Sequence, residues 1–166
     1  MIQLKKNMKI ALLLSASILI FACGAKKNAT ETTAETSTDS SYPKYPKDII
    51  KVKAQTGQFV KESDPLMSID TVEVRGNILY IDVTYGGGCE QHDFEVIGSL
   101  AIAKSYPPIR ALQLVHHANG DKCRAIKKVK LEVNIEDVAY QKENGSEIYY
   151  TLEGWNDRIY HKYQGK

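Results

Sequence analysis

Residues 128–135 read Lys-Val-Lys-Leu-Glu-Val-Asn-Ile, apolar and polar by turns. A side chain returning to the same face every second position is the geometry of a half-buried strand, and a helix cannot satisfy it. The same period runs through residues 78–85, where Leu79, Ile81, Val83 and Tyr85 share a face. Gly76-Asn77 separates that run from residues 69–74, which predicts a hairpin. Residues 92–97, 111–117, 147–153 and 159–163 supply further strands. Pro107-Pro108 and Glu143-Asn144-Gly145 mark loops, and short turns fit residues 99–104 and 135–140. Many short strands with regular turn signals predict an all-β domain. The expected architecture is an antiparallel β-sandwich, Ig-like in the loose sense, with an open β-barrel as the alternative.

The first residues follow a different logic. Lys5, Lys6 and Lys9 lead into an apolar run at 10–21, which ends Phe21-Ala22-Cys23-Gly24. Basic start, short apolar core and a small residue at the cut describe a secretory signal. As a helix the run spans about 18 Å, short of the ~30 Å hydrocarbon core that an anchor must cross. Cysteine directly after the cut resembles the lipobox of bacterial lipoproteins, although Phe21 stands where a small residue is usual. That resemblance implies a diacylglyceryl thioether on Cys23, with further acylation of palmitate type, and several chains give durable attachment. The expected organisation is a signal peptide at 1–22, a lipidated N-terminus and flexible linker at 23–46, and the β-domain at 47–166. Residues 24–41, rich in Thr, Ser, Ala and Glu, carry too little apolar surface to offset their ordering entropy. The expected location is the bacterial cell envelope, periplasmic or at the outer membrane and cell surface. Cleavage removes three lysines and no acid, so the net charge of +2 becomes slightly negative. Net charge therefore gives no footprint for nucleic acid.

Of three cysteines, lipidation of Cys23 leaves Cys89 and Cys123. In an oxidising envelope an even pair predicts a disulfide. Closing that loop stabilises the fold by roughly 3–4 kcal/mol in the chain-entropy account. Two passages carry the remaining chemistry: Gly86-Gly87-Gly88-Cys89-Glu90-Gln91-His92, and His116-His117-Ala118-Asn119-Gly120-Asp121-Lys122-Cys123. Alternation places His92 with Phe94 and Val96, and His116 with Leu112 and Leu114, while His117 faces the other way. Cys89, His92, His116 and Cys123 are also the ligand types of a tetrahedral zinc site. The alternative to a cofactor-free domain is thus a zinc module or a metal-dependent hydrolase using both histidines. His117 and His161 read as polar strand-end residues satisfied by backbone.

Gly86-Gly87-Gly88 lacks the Lys-Ser/Thr and the helix of a phosphate loop. Asn119-Gly120-Asp121 lacks the other carboxylates of a calcium loop and reads as a tight turn. These six residues form the loops where a partner is expected to bind. Trp155 reads as core closure more readily than as a ligand platform. Asp70-Thr71-Val72 resembles the short O-glycosylation acceptor of Bacteroidota.

The passages GGGCEQHDFEVIGS, PPIRALQLVHHANGDKCR and LEGW together look like a group of small Bacteroidota lipoproteins, matching over residues 85–155. The resemblance implies a membrane-anchored envelope lipoprotein with a β-rich domain and assigns no reaction. The functional expectation is a non-catalytic binding or structural domain that meets the membrane through its lipid and an unknown protein or small-molecule ligand through its loops.

Overall fold

The structure, a computed structural model, describes residues 48–165. The expected signal peptide, the lipidated Cys23 and the linker lie outside the described residues. Eight strands follow in chain order: β1 (Asp48–Gly57), β2 (Ser68–Arg75), β3 (Ile78–Gly87), β4 (Asp93–Ala103), β5 (Ile109–His117), β6 (Ala125–Asn134), β7 (Glu147–Leu152) and β8 (Ile159–Lys162). A single 3-10 turn, Glu136–Val138, follows β6. Among the described residues no helix is long and apolar enough to cross a membrane.

The β2–β3 hairpin turns through Gly76-Asn77, with Gly76 at φ 59°. A two-residue loop with positive φ at its first position matches the twist of the strands it joins, and glycine takes that conformation without a Cβ clash. β3 then pairs antiparallel with β6, setting Leu79 against Val133, Ile81 against Leu131 and Val83 against Val129. All six side chains are buried, and they form the centre of the core.

β1 organises the rest. Its residues Asp48–Lys53 pair with β6, and Ala54–Gly57 then pair with β4, both in parallel. One strand therefore serves both halves of the sheet, changing partner between Lys53 and Ala54. The full order is β2-β3-β6-β1-β4-β5-β7-β8. The outermost strands, β2 and β8, are linked through side chain and loop. Asn77 Nδ2 donates to the Gln164 carbonyl at 2.7 Å, and Gln164 N–H donates to Asn77 Oδ1 at 2.9 Å.

The result is one mixed sheet nearly closed into a barrel, which corrects the expected antiparallel sandwich and fits the open-barrel alternative. β5 and β7 are also parallel. Alternation tells which side chains face inward but carries no information on a neighbour's direction, so parallel pairing is invisible to it.

β5 shows how the interior is used. Arg110, Leu112, Leu114 and His116 alternate along it and are all buried. The leucines belong to the apolar core. Arg110 lies towards one end, where its Nη1 donates to the Ser99 carbonyl at 2.6 Å within an irregularity of β4. His116 lies towards the other end.

Candidate functional site

The His116 end collects the chemistry. β3 ends in the glycine run, β4 begins after His92, β5 ends at His117, and the loop from β5 to β6 returns Cys123. Cys89 and Cys123 are joined in a disulfide across 34 residues, with Cα atoms 5.9 Å apart. Asp121 lies inside the loop so formed. Its Oδ2 accepts from three successive backbone amides, Gly88 at 2.7 Å, Cys89 at 2.9 Å and Glu90 at 3.0 Å. Its Oδ1 accepts from Cys123 N–H at 2.8 Å. Consecutive amides turned inward form a concavity for an anion, and here the protein's own carboxylate fills it. The amides of Glu90, Cys123 and Cys89, together with the His92 ring, hold this carboxyl far below the usual carboxylate range.

His92 connects Asp121 to the interior. Its Nε2 lies 3.1 Å from Asp121 Oδ2, and its Nδ1 lies 2.7 Å from His116 Nε2. Both partners of the His92–Asp121 pair have almost wholly buried side chains. Tyr85 stacks on His92 with centroids 4.5 Å apart, and Phe94 stacks on His116 at 4.8 Å. Burial pushes His116 below the ordinary histidine value, the Asp64 carbonyl opposes that shift, and the neighbouring His92 adds to it. Burial likewise raises the Tyr85 hydroxyl, with Asp48 and Asp121 contributing.

The segment between β1 and β2 completes the site as a strap. β5 pairs with β7 only over Ile109–Leu112, which leaves the edge of its second half free. The strap occupies it. Asp64 N–H donates to the His116 carbonyl at 2.8 Å, His116 N–H to Ser63 Oγ at 3.0 Å, and Ala118 N–H to Asp64 Oδ2 at 2.7 Å. His116 Nδ1 lies 3.3 Å from the Asp64 carbonyl oxygen. Further along, the Gln113 amide bonds both the N–H and the carbonyl of Val60, at 2.9 and 3.0 Å.

The expected residues distribute as follows. Cys89 and Cys123 form the expected disulfide. Both sulfurs are therefore bonded, so neither offers a thiolate to a metal or a nucleophile to a hydrolase. His92 and His116 do meet, bonding one another and Asp121. Of the expected partner loops, Asp121 has its side chain buried, and Gly87 is buried beneath it. Gly86, Gly88, Asn119 and Gly120 are at least partly exposed. Asn119, at φ 52°, donates through Nδ2 to the Gln91 carbonyl and to Asp93 Oδ2.

His117 ends β5 and is exposed. His161 differs from its reading as a strand-end residue satisfied by backbone. It is buried, with Nδ1 3.3 Å from the Tyr150 hydroxyl and Nε2 3.2 Å from Asn77 Oδ1. Burial lowers its pKa. Trp155 packs partly buried against the core. Thr71 lies within β2 and donates to Asp82 Oδ2 at 2.8 Å. Sequence reasoning missed the carboxylate cradle and the strap. The signals for them were an acid two residues before a cysteine and a histidine on an inward face.

Fold and site together define a class: a small all-β barrel domain, stapled at one end by a disulfide built around an internal carboxylate. No protein-family model matches the chain, and no curated protein does. Among solved structures it is similar to a NigD-like immunity protein from Bacteroides caccae, with TM-score 0.51 and 16% identity. That alignment covers 66% of this chain and 58% of the other. A protein of unknown function from Bacteroides vulgatus aligns with TM-score 0.46 and 12% identity, over 72% of this chain and 58% of its own. This chain thus spans less than two thirds of either neighbour. The first likeness shows a shared fold.

Proposed function

We propose that this chain is a lipid-anchored protein of the bacterial cell envelope whose barrel is a non-catalytic binding or structural domain. Cys23 is its lipidated residue, and the rim around the Cys89–Cys123 disulfide is the surface it offers to a partner. The disulfide carries the reading. It joins the two cysteines that remain once Cys23 is set aside, and such bonds persist in oxidising compartments outside the cytosol. The leader and the cysteine that follows it point to the same place.

Two observations favour binding over catalysis. The histidines of the site are buried and bonded to one another, and the sulfurs are bonded in the disulfide. A zinc-binding reading requires that the disulfide first be reduced. The immunity role named for the Bacteroides caccae protein is not carried over, because the likeness rests on fold alone.

Metabolic labelling with radioactive palmitate, in wild type and Cys23→Ser, tests the anchor. Label is expected in the wild type and absent from the variant, which should also remain unprocessed. An unlabelled wild type that fractionates and matures like Cys23→Ser sinks the proposal. Intact-mass analysis adds the second arm, with two hydrogens fewer than the reduced chain expected.

A further inference from the structure

Four groups stand in line through the disulfide end: Asp121 Oδ2, the His92 ring, the His116 ring and the Asp64 carbonyl oxygen. Three contacts join them, at 3.1, 2.7 and 3.3 Å. Each is a hydrogen bond only if a proton lies in it. Both ends of the line are acceptors, since a carbonyl has no proton and Asp121 Oδ2 already accepts three backbone amides. All three protons must therefore come from the imidazoles. Two neutral imidazoles carry one N–H each. The geometry described is complete only when the pair carries three protons, and thus one positive charge facing the Asp121 carboxylate.

With two protons, one contact is lost, and the distances say which. Keeping the 3.1 and 2.7 Å contacts uses both N–H groups and leaves His116 Nδ1 as a bare lone pair. That lone pair then faces the Asp64 carbonyl, with the Pro65 carbonyl also directed at this ring. Two acceptors against a third in a buried position repel. The contact released is the ring's bond to the strap.

We propose that His92 and His116 form a one-proton clasp: with three protons the rings tie the disulfide loop to the strap, and with two the His116 ring loses its bond to the strap, which then rests on its Ser63 and Asp64 hydrogen bonds to β5 and Ala118. The strap residues Lys61, Ser63 and Asp64 line a cleft of about 460 Å³ with Gln113 and Glu153, so proton gain and loss alter the wall of that cleft. The charged and titratable groups facing the pair come from every neighbouring element. Tyr85 stacks on it from β3, Asp121 closes one end, the Asp64 backbone closes the other with the Asp64 carboxylate charge acting on His116, and Asp48 acts through Tyr85. Lys127 of β6 lies over Gly88 at the mouth of the cradle. Asp121 favours the third proton, and burial of His116 opposes it. The midpoint belongs to the pair rather than to either ring.

The test is NMR of the purified ¹⁵N-labelled protein, following the ring nitrogens of both histidines and the amides of Ser63–Met67 from about pH 5 to 8. Ring protonation and strap amides should move with one common midpoint, with His116 protonated at Nδ1 only on the acid side. In Asp121→Asn, where an oxygen still fills the cradle but the charge is gone, proton affinity should fall about ten- to a thousandfold. Rings whose proton count never changes in this window overturn the clasp. So do rings that titrate while the strap amides stay still, or a midpoint unmoved in the variant. Should Asp121→Asn fail to fold, the wild-type titration decides alone.

Discussion

A buried carboxylate oxygen that accepts three amides and an imidazole leaves no volume beside it, and Gly87 is where that shows. A Cβ built on Gly87 lies 2.5 Å from His92 Nε2 and 2.9 Å from Asp121 Oδ2, on a backbone at φ +155°. Neither neighbour can yield, because each is fixed by its other hydrogen bonds. Overpacking and positive φ together predict that Gly87→Ala destabilises by about 2–4 kcal/mol. Gly86, one position earlier, has nothing within 4 Å of a built Cβ, so Gly86→Ala should stay within about 0.5 kcal/mol of wild type. Urea unfolding of the two variants makes the comparison, and equal midpoints refute the cradle as described. At this scale the sequence told which way the side chains point: His92 and His116 do share the interior. It did not tell that Asp121 joins them. Asp121 lies 29 residues from His92, in a loop without period, and loop closure of that kind leaves no mark on local pattern.

From β2 onward the strands were legible, since Leu79 to Tyr85 and Val129 to Val133 alternate strongly, except for the second half of β4, whose residues 99–103 read as a turn. β1 was not. Its inward residues are the half-buried Ile50, Val52 and the small Ala54, alternating with Lys51 and Lys53, so its period is present but short. The strap was illegible for another reason: it is held by hydrogen bonds of its backbone, of Ser63 and Asp64, and of the Gln113 amide, not by apolar period. Gln113 points away from the core, as alternation requires, yet is only 9% exposed. Its amide imitates a strand neighbour by bonding both polar groups of Val60. Replacing it by alanine leaves those groups with no protein partner, a loss of about 1–3 kcal/mol where they are shielded from water. The effect should be local. In Gln113→Ala, amide hydrogen exchange at Val60 should rise while the amides of Ile81 and Leu131 keep their wild-type protection. Unchanged exchange at Val60 excludes Gln113 as the strap's fastening.

The barrel is secured differently at its two ends. Near the β2–β3 turn, Asn77 gathers Gln164 and His161 by side-chain hydrogen bonds. At the opposite end the covalent staple and the Asp121 cradle act on the same loop. Whether the staple or the cradle dominates can be decided by magnitude. A cross-link over 34 residues removes chain entropy from the unfolded state equivalent to about 3–4 kcal/mol. The cradle acts only in the folded state and survives removal of the sulfurs, because its donors are backbone amides. The Cys89→Ala/Cys123→Ala protein should therefore fold to the same barrel, with unfolding free energy lower by about 3–4 kcal/mol. Wild type unfolded under reducing conditions should match it. Histidine-ring NMR of the double variant should still show the His92–His116 contact. A variant that loses that contact along with its stability would mean that the staple positions Asp121, and that the carboxylate cannot hold the loop by its amides alone.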